Sequence, residues 1–398
     1  MPPRPIALVG LTLLLLGPAA AAHAAGQPAA QPRARDLGIP FDGTPGPLNA
    51  ITDVDGVLVG HTTLIAGSGK LIVGQGPIRT GVTAVLPRGS ASMQRFSFAG
   101  WYSQNGNGEM TGTTWVEESG FLESPVLITN THSVGVVRDA VIAWRVAHGP
   151  PDATDSWWSL PVVAETWDGW LNDINGFHVK PEHVFHALDS ARGGPVEEGA
   201  VGGGTGMVCN GFKGGIGTSS RKLTDKDGGY LLGVLVQCNY GRRLNLRIAG
   251  IPVGREIDSE DPYAFLPAEL TERGSIIVVV ATNAPLLPHQ LKRIARRVSL
   301  GLGRTGSIAG NGSGDIFIAF STANPSASEI SHGTVDLRML PNDSMDPLFA
   351  ATVQATEEAI VNAMVAATDM TGIDGHHVRA LPHDELRAVL ARYNRLLR

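Results

Sequence analysis

The chain has 398 residues, with 31 Lys and Arg against 37 Asp and Glu, and a formal net charge of −6 at pH 7. This small negative charge gives no reason to expect nucleic acid or an anionic membrane surface as a partner. Fifty glycines and only 17% charged residues favour a compact, turn-rich fold over a disordered chain.

The first 24 residues have the composition of a secretory signal peptide. A basic start is followed by an apolar stretch from Ile6 to Leu16 and then by small residues up to Ala24. The apolar stretch is shorter than the roughly 20 residues that a membrane-spanning helix needs. We expect cleavage after Ala24, or close by after Ala25 or Gly26. The mature protein is then periplasmic or secreted, with no membrane attachment.

Residues 25–50 are polar and rich in Pro, Gly, Ala and Arg, which predicts a flexible N-terminal arm. A single domain is expected from residue 51 to residue 398, because no linker interrupts it. In chain order, runs rich in β-branched residues predict strands over 57–65, 81–86, 125–129, 200–209, 230–239, 275–281 and 315–321. Amphipathic patterns predict helices over 134–147, 181–191, 287–300, 346–370 and 383–397. Strands and helices without regular alternation favour the α+β class.

Two short motifs suggest ligands only weakly. Gly301-Leu-Gly303-Arg-Thr-Gly306 matches the dinucleotide fingerprint, but it follows a predicted helix and opens none. His183 and His186 lie one helical turn apart without an evident third ligand. We therefore expect neither a cofactor nor a metal ion.

The chain contains only two cysteines, Cys209 and Cys238. An exported protein could form one disulfide between them. Each cysteine lies within an apolar run, however, which favours two buried free thiols. The disulfide remains the open alternative.

Three polar clusters stand in apolar or glycine-rich surroundings. Gly274 and Ser275 come at the start of the predicted strand 275–281, and Asn239 ends the strand 230–239. Ser313 and Asp315 lie in the glycine-rich segment Gly310-Asn-Gly-Ser-Gly-Asp, where small residues let the backbone approach closely. Each cluster alone is compatible with an ordinary turn.

At these residues the sequence resembles a known family. The matching segments are 129–135, 161–169, 274–290 and 310–315, in one order along the chain. They resemble the self-processing serine aminopeptidases, a family that includes the L-aminopeptidase/D-amidase-esterases and the β-peptidyl aminopeptidases. The resemblance extends from about Ile51 to the final helices.

The resemblance implies an αββα sandwich like that of Ntn hydrolases, with different connectivity. It also implies autocatalytic cleavage between Gly274 and Ser275, giving chains 51–274 and 275–398, and a homo-oligomer of such two-chain protomers. The chemistry agrees, because a glycine before the bond has no Cβ to obstruct attack by the Ser275 hydroxyl. The freed α-amine, with a pKa of about 7.7–8.0, could then serve as a base.

The same resemblance assigns roles to the polar clusters. Ser275 is the nucleophile, and Ser313 and Asp315 form a hydrogen-bonded network that contacts its amine or hydroxyl. Asn239 matches the donor that stabilises the negatively charged oxygen of the transition state. Glu165 matches the acidic residue that binds the free amino group of the substrate.

Two tryptophans complete the expected site. Trp158 and Trp167 are expected to line the pocket for the substrate's acyl part, although core packing explains them equally well. Trp167 stands where the family member used for comparison has tyrosine. Either Asn239 and backbone amides contribute more to stabilising the reacting oxygen here, or Tyr240 or Tyr102 is the alternative donor. The expected substrates are small peptides, amides or esters with a free amino group and an L-, D- or β-amino acid first.

Two other functions remain open from the sequence. One is a self-processing acyltransferase of the ornithine acetyltransferase type, although those enzymes use threonine as the nucleophile. The other is a binding protein that keeps the fold without catalysis. The presence of Ser275, Ser313, Asp315, Asn239 and Glu165 together argues against the binding protein.

Overall fold

The computed structural model describes residues 31–149, 158–265, 274–329 and 332–397. Its α-helices are α1 (Thr113–Ser119), α2 (Val134–His148), α3 (Pro181–Asp189), α4 (Pro288–Arg304), α5 (Asp346–Val365) and α6 (His383–Arg392). Its strands are β1 (Leu58–Ala66), β2 (Ile78–Ser90), β3 (Ser97–Gly106), β4 (Phe121–Leu122), β5 (Val126–Asn130), β6 (Val162–Thr166), β7 (Val208–Cys209), β8 (Phe212–Lys213), β9 (Gly215–Lys222), β10 (Leu231–Asn239), β11 (Ser275–Thr282), β12 (Gly314–Ser321), β13 (Met370–Thr371) and β14 (His377–Val378).

The longer strands form two sheets. The first sheet has the order β1-β2-β5-β6, and the second has the order β4-β3-β12-β11-β10-β9. Within the second sheet, β11 pairs antiparallel with β10 and parallel with β12. The strand that begins at Ser275 therefore lies in the interior of its sheet, between two neighbours.

The alternation of side chains along β11 separates two apolar layers. Ile277 and Val279 join residues of the first sheet, such as Ile128, in a core between the two sheets. Ile276 and Val278 point the other way and pack with residues of α4 and α5. Because α2 and α3 cover the outer face of the first sheet, the layers are helix, sheet, sheet and helix. The predicted αββα sandwich of the α+β class is confirmed.

Helices α4 and α5 pack closely on the second sheet for two reasons visible in the sequence. In α4, Leu291, Ile294, Val298 and Leu302 recur at three- and four-residue spacing and are all buried. In β9, a Cβ on Gly217 would lie 2.0 Å from the Ala359 carbonyl oxygen of α5. Glycine at this position allows the helix to approach the sheet.

Some predicted elements are corrected by the structure. Residues 200–209 do not form one strand, because Gly202 has φ +53° and Gly202–Gly204 form a 3-10 helix. Helix α4 continues through Gly301 and Gly303 to Arg304, so the first two glycines of the dinucleotide-like motif lie within a helix, and the third, Gly306, lies in the turn that follows. Helix α5 ends earlier than predicted, at Val365.

The prediction of a flexible arm is wrong for residues 33–50, whereas residues 25–30 and the predicted signal peptide 1–24 lie outside the described residues. The Arg33 guanidinium lies 2.6 Å from the carboxylate of Glu198, and that of Arg35 lies 2.7 Å from Glu358. Both carboxylates are largely buried, and Ile39 is buried in the core. From Pro32 onward the chain forms one compact unit. The ordered region therefore begins before residue 51.

The prediction of two free thiols is also wrong, because Cys209 and Cys238 form a disulfide. Their Cα atoms are 5.6 Å apart, within the range that a disulfide requires. The proximity arises because β7 lies against the end of β10, where the Val208 N–H donates to the Asn239 side chain. The bridge joins the two strands next to that asparagine.

Candidate active site

Ser275 is the first residue of β11 and is held by both neighbouring strands. It lies opposite Asn239 of β10 and opposite Gly314 of β12. The Gly314 N–H donates to Ser275 Oγ at 3.1 Å. By the alternation of the strand, this hydroxyl faces the first sheet, on the same side as Ile277. Ser275 is therefore a buried hydroxyl at one end of the layer between the sheets.

Gly274, immediately before Ser275, lies against the backbone of β10. A Cβ built on Gly274 would lie 1.8 Å from the Asn239 carbonyl oxygen and 2.8 Å from the Cα of Tyr240. No side chain fits there without a backbone shift. Close packing against β10 thus requires glycine at position 274. Glycine also leaves its carbonyl open to attack by the Ser275 hydroxyl, as predicted from the sequence.

The Asn239 amide is fixed on both sides. Its Oδ1 accepts from the Val208 N–H at 2.7 Å, and its Nδ2 donates to the Trp167 carbonyl at 2.8 Å. Because one partner only donates and the other only accepts, the orientation of the amide is determined. Nδ2 carries a second N–H beside Ser275, suited to stabilising an oxyanion. The two main-chain partners have no sequence signature and were not predicted.

Ser313 and Asp315 form the predicted pair. Ser313 Oγ donates to Asp315 Oδ1 at 2.6 Å, and both residues are fully buried. Asp315 shares a strand face with Phe317, which packs on the helix side of the sheet. This pair therefore lies on the opposite face from Ser275 Oγ.

Glu165 of β6 is buried among neutral donors. Its Oε1 accepts from the Glu109 N–H at 3.0 Å, and its Oε2 accepts from the Thr131 hydroxyl. Burial raises the pKa of the Glu165 carboxyl above its ordinary value, while these two hydrogen bonds and His132 act against that rise and Glu109 adds to it. Within the described residues Glu165 forms no ion pair. A cationic ligand would thus stabilise the ionised form.

Gly108 connects Glu165 to Ser275. A Cβ on Gly108 would lie 3.1 Å from the Gly314 Cα and 3.2 Å from Glu165 Oε1. Gly314 in turn donates to Ser275 Oγ. Glu165 and Ser275 therefore belong to one site, on either side of a close backbone contact. Gly108 was not predicted as a site residue, and its glycine- and asparagine-rich surroundings were the only signal for it in the sequence.

Thr131 was also missed as a site residue, although it lies in the segment 129–135 that carried the family resemblance. Its neighbour Asn130 ends β5, next to Thr166 at the end of β6. The parallel pairing of these strands brings the Thr131 hydroxyl to the Glu165 carboxylate. The available signal was the position of Thr131 just after β5, which runs parallel to the strand of Glu165.

The two tryptophans have different positions. The Trp167 indole lies over Gly169, and its carbonyl rather than its ring contacts Asn239. Trp158 is 56% exposed and packs edge-on against Trp115, with ring centroids 5.5 Å apart. The structure brings Trp167 to the site through its main chain and leaves Trp158 on the surface of the protomer.

Neither alternative tyrosine is directed to Ser275. The Tyr240 hydroxyl lies 2.5 Å from the Thr305 hydroxyl, and Tyr240 is part of the core on the helix side of the second sheet. Tyr102 packs with Phe317 on the same side. Their positions argue against the suggestion that either replaces the family tyrosine.

The predicted histidine pair is engaged in local contacts. His186 Nδ1 lies 3.0 Å from the Thr62 hydroxyl, and His183 Nδ1 accepts from the Lys180 N–H at 3.0 Å. In the described parts of the chain, no group of three or more His, Cys, Asp or Glu residues is arranged to hold a metal ion. No helix among the described residues is long and apolar enough to cross a bilayer.

Comparison with known sequences gives a match over most of the chain. The model of peptidase family S58 matches residues 49–378. The β-peptidyl aminopeptidase BapA of Sphingosinicella microcystinivorans is 55% identical over 378 residues, covering 92% of this chain and 93% of the relative.

Solved structures agree with this match. The L-aminopeptidase D-Ala-esterase/amidase of Ochrobactrum anthropi, described as a prototype of the serine aminopeptidases and a variant of the Ntn hydrolase fold, superposes with a TM-score of 0.84. It is 49% identical, and the match covers 92% of this chain and all of the other. A Burkholderia sp. β-aminopeptidase superposes with a TM-score of 0.82 at 48% identity, covering 90% of this chain and 98% of that one.

Proposed function

Because this chain belongs to peptidase family S58 and is a peptidase, we propose that it is an exported aminopeptidase whose nucleophile is the N-terminal Ser275 of a self-cleaved chain. One observation carries the proposal. Ser275, the Asn239 amide and the Glu165 carboxylate meet at one end of the layer between the sheets. These are the nucleophile, the oxyanion donor and the ammonium-binding group that an aminopeptidase needs.

In the self-processing step, Ser275 Oγ attacks the carbonyl carbon of Gly274. The C–N bond breaks as the C–O bond forms, which gives an ester and frees the α-amine of Ser275. Water then hydrolyses the ester, leaving a carboxylate on Gly274. The contact between Gly274 and the Asn239 carbonyl supports this step, because it holds the junction against β10.

In the catalytic step, the free α-amine accepts the proton of Ser275 Oγ as the oxygen attacks the substrate carbonyl. The second N–H of Asn239 Nδ2 donates to the oxygen that becomes negatively charged. The leaving amine takes a proton, and water hydrolyses the acyl-serine ester. We assign Ser313 and Asp315, which are hydrogen-bonded to each other, to the task of orienting the main-chain nitrogen of Ser275.

Glu165 is proposed to bind the ammonium group of the substrate. Its carboxylate is buried and accepts only from neutral donors in the described structure, so a cation would stabilise its ionised form. We further propose that the released residue is a β-amino acid, since relatives matched over nearly their whole length are described as β-peptidyl aminopeptidase and β-aminopeptidase.

The remaining proposals concern the assembled protein. The signal-like residues 1–24 support export to the periplasm or the medium. A homo-oligomer of two-chain protomers is supported by Trp158, since large exposed aromatic side chains are often covered at subunit interfaces. An acyl-pocket role for Trp158 and Trp167 stays a prediction.

The test of the proposed function is the covalent state of the purified protein. We expect mass spectrometry under denaturing conditions to give two chains, with N-terminal sequencing of the smaller one beginning Ser-Ile-Ile-Val. Ser275→Ala should remain one chain and be inactive on β-alanyl amides, because the attacking hydroxyl is gone. The wild-type protein remaining intact yet fully active would contradict the proposal, and cleavage of Ser275→Ala would indicate an external protease.

A further inference from the structure

Gln237 of β10 makes a polar connection between the two sheets. It is fully buried, and its Nε2 donates to the Thr129 carbonyl of β5 at 3.0 Å and to the Thr166 hydroxyl of β6 at 2.8 Å. Both acceptors belong to the first sheet, whereas Gln237 belongs to the second. Elsewhere this layer contains mainly apolar side chains such as Val279. Gln237 is thus a polar contact within an apolar interface.

The orientation of this amide is fixed, although it leaves one atom unsatisfied. A carbonyl such as that of Thr129 can only accept, so the nitrogen must lie on that side. The Thr166 hydroxyl donates its own proton to the sulfur of Met207, which leaves it as an acceptor for Gln237. Among the described residues, Gln237 Oε1 has no hydrogen-bond partner. A buried unpaired acceptor costs about 1–3 kcal/mol of folding free energy. The fold therefore keeps the two Nε2 hydrogen bonds although burying Oε1 is unfavourable.

The connection lies between the two groups that hold the substrate. Thr166 directly follows Glu165, the proposed ammonium ligand, on β6. Gln237 is two residues before Asn239, which pairs with Ser275. The separation of β10 from β6 at this point therefore determines how far Glu165 stands from the attacking oxygen.

That separation matters for the length of the acyl residue. A β-aminoacyl group has one more carbon between its nitrogen and its carbonyl than an α-aminoacyl group, which adds about 1.5 Å of chain. Apolar packing alone tolerates small sliding of one layer over another, whereas a buried hydrogen bond has a narrow range of length and angle. A glutamine amide is thus suited to fix the spacing.

We propose that Gln237 is a positioning residue that sets the distance between Glu165 and Ser275 and thereby discriminates β-aminoacyl from α-aminoacyl substrates. The inference rests on the proposed function of these two residues. It concerns specificity rather than the reaction itself. The side-chain amide of Gln237 acts through Thr129 and Thr166, to which it donates.

The test compares kcat/KM on β-alanyl and L-alanyl p-nitroanilides. Gln237→Met keeps the side-chain length and removes both donors, so we expect the ratio of the two kcat/KM values to move toward one by about tenfold, the effect of roughly 1.4 kcal/mol. Thr166→Val removes one acceptor with little change in shape and should give a smaller shift in the same direction. Both variants should still self-cleave, since Glu165 has no part in that step.

Gln290→Met is the matched control. Gln290 is also fully buried and donates to a carbonyl, that of Leu340, but it lies in α4 away from the layer between the sheets. This variant should lose stability and keep the wild-type ratio. An unchanged ratio in Gln237→Met, or in Thr166→Val if the first variant does not fold, overturns the inference. Wild-type protein that is inactive on both substrates would instead contradict the proposed function.

Discussion

Glu165 is the proposed ligand of the substrate's free amino group. Its carboxylate is buried with only an N–H and a hydroxyl as hydrogen-bond donors. An amide in its place would keep the shape and remove the charge. Glu165 therefore allows the charge to be tested separately from the packing.

We predict that Glu165→Gln lowers kcat/KM on free-amine substrates by roughly 10- to 150-fold, because a hydrogen bond between charged groups contributes about 1.5–3 kcal/mol. Self-cleavage should be unaffected, since no free amine is recognised in that step. Wild type should not hydrolyse the acetylated form of the same amide. Equal wild-type rates on both forms would show that the aminopeptidase assignment is wrong.

The same residue predicts a pH dependence. Burial raises the pKa of Glu165, so kcat/KM of wild type should fall as the pH decreases through a value above the ordinary pKa of a glutamate. Glu165→Gln should lack this acid limb. Glu109→Gln is the matched control, because Glu109 is exposed and contacts Glu165 through its main-chain N–H. Its profile should keep the acid limb.

Lys213 is a second buried ionisable side chain, and it has no role in the proposed reaction. Its Nζ donates to the carbonyls of Met207 at 2.9 Å and Gly214 at 2.8 Å, and the side chain is fully buried. Burial lowers the pKa of Lys213 to about 7. Between that value and an ordinary lysine pKa, the unfolded chain binds a proton that the folded protein lacks. The free energy of unfolding should therefore rise with pH in this window.

We predict that this rise, about 1.4 kcal/mol per pH unit at most, is absent in Lys213→Met. Urea unfolding at pH 7, 8 and 9 measures it, with both proteins in a Ser275→Ala background so that the chain stays intact. Lys222→Met is the matched control, since Lys222 is exposed, and it should keep the wild-type slope. Parallel pH profiles for Lys213→Met and its parent would contradict the prediction.

Strand β11 depends on the residue that precedes it. Gly274 lies so close to β10 that a methyl group would overlap the Asn239 carbonyl. We predict that Gly274→Ala displaces the start of β11 and slows self-cleavage, so that full-length chain accumulates. The ratio of intact to cleaved chain on a denaturing gel measures this. Gly303→Ala, at a helical position with nothing within 4 Å of the added Cβ, should be cleaved like wild type.

Elements with a clear apolar pattern could be predicted from the sequence. The predicted strands 275–281 and 315–321 differ from β11 and β12 by one residue at one end. Strand β9 was missed because Gly215-Ile-Gly-Thr-Ser-Ser has the composition of a loop. In the fold the hydroxyls of Thr218 and Ser219 are both buried. Thr218 donates to the Val234 carbonyl, and Ser219 donates to the Ala355 carbonyl. Such contacts come from distant segments, so local composition does not report them.

The candidate site, like the strands, could be predicted only in part. Ser275, Asn239 and Glu165 were identified through the family resemblance, and the structure places them at one end of the sandwich. The N–H groups of Gly314 and Val208 also shape the site. They could not be predicted, because every residue except proline carries such a group.

At the scale of the whole molecule, the N-terminal segment was the clearest error of local reasoning. Arg35 and Arg221 both bind Glu358 of α5, although they are far apart in the sequence. A polar, proline-rich composition predicts disorder only when no distant partner exists. Here the partners are buried carboxylates, so the segment closes over the core.

The central position of β11 has a consequence for the life of the protein. If the chain is cut before Ser275, the new terminus stays between β10 and β12, and the pairings of β11 with β10 and of β12 with β3 keep the two pieces together. Refolding after denaturation would then require two separate molecules to meet, whereas the first folding involved one. The native state would then form readily only when folding precedes cleavage. In dilute solution reassembly would be slow, so the persistence of each molecule would be governed by how slowly it unfolds.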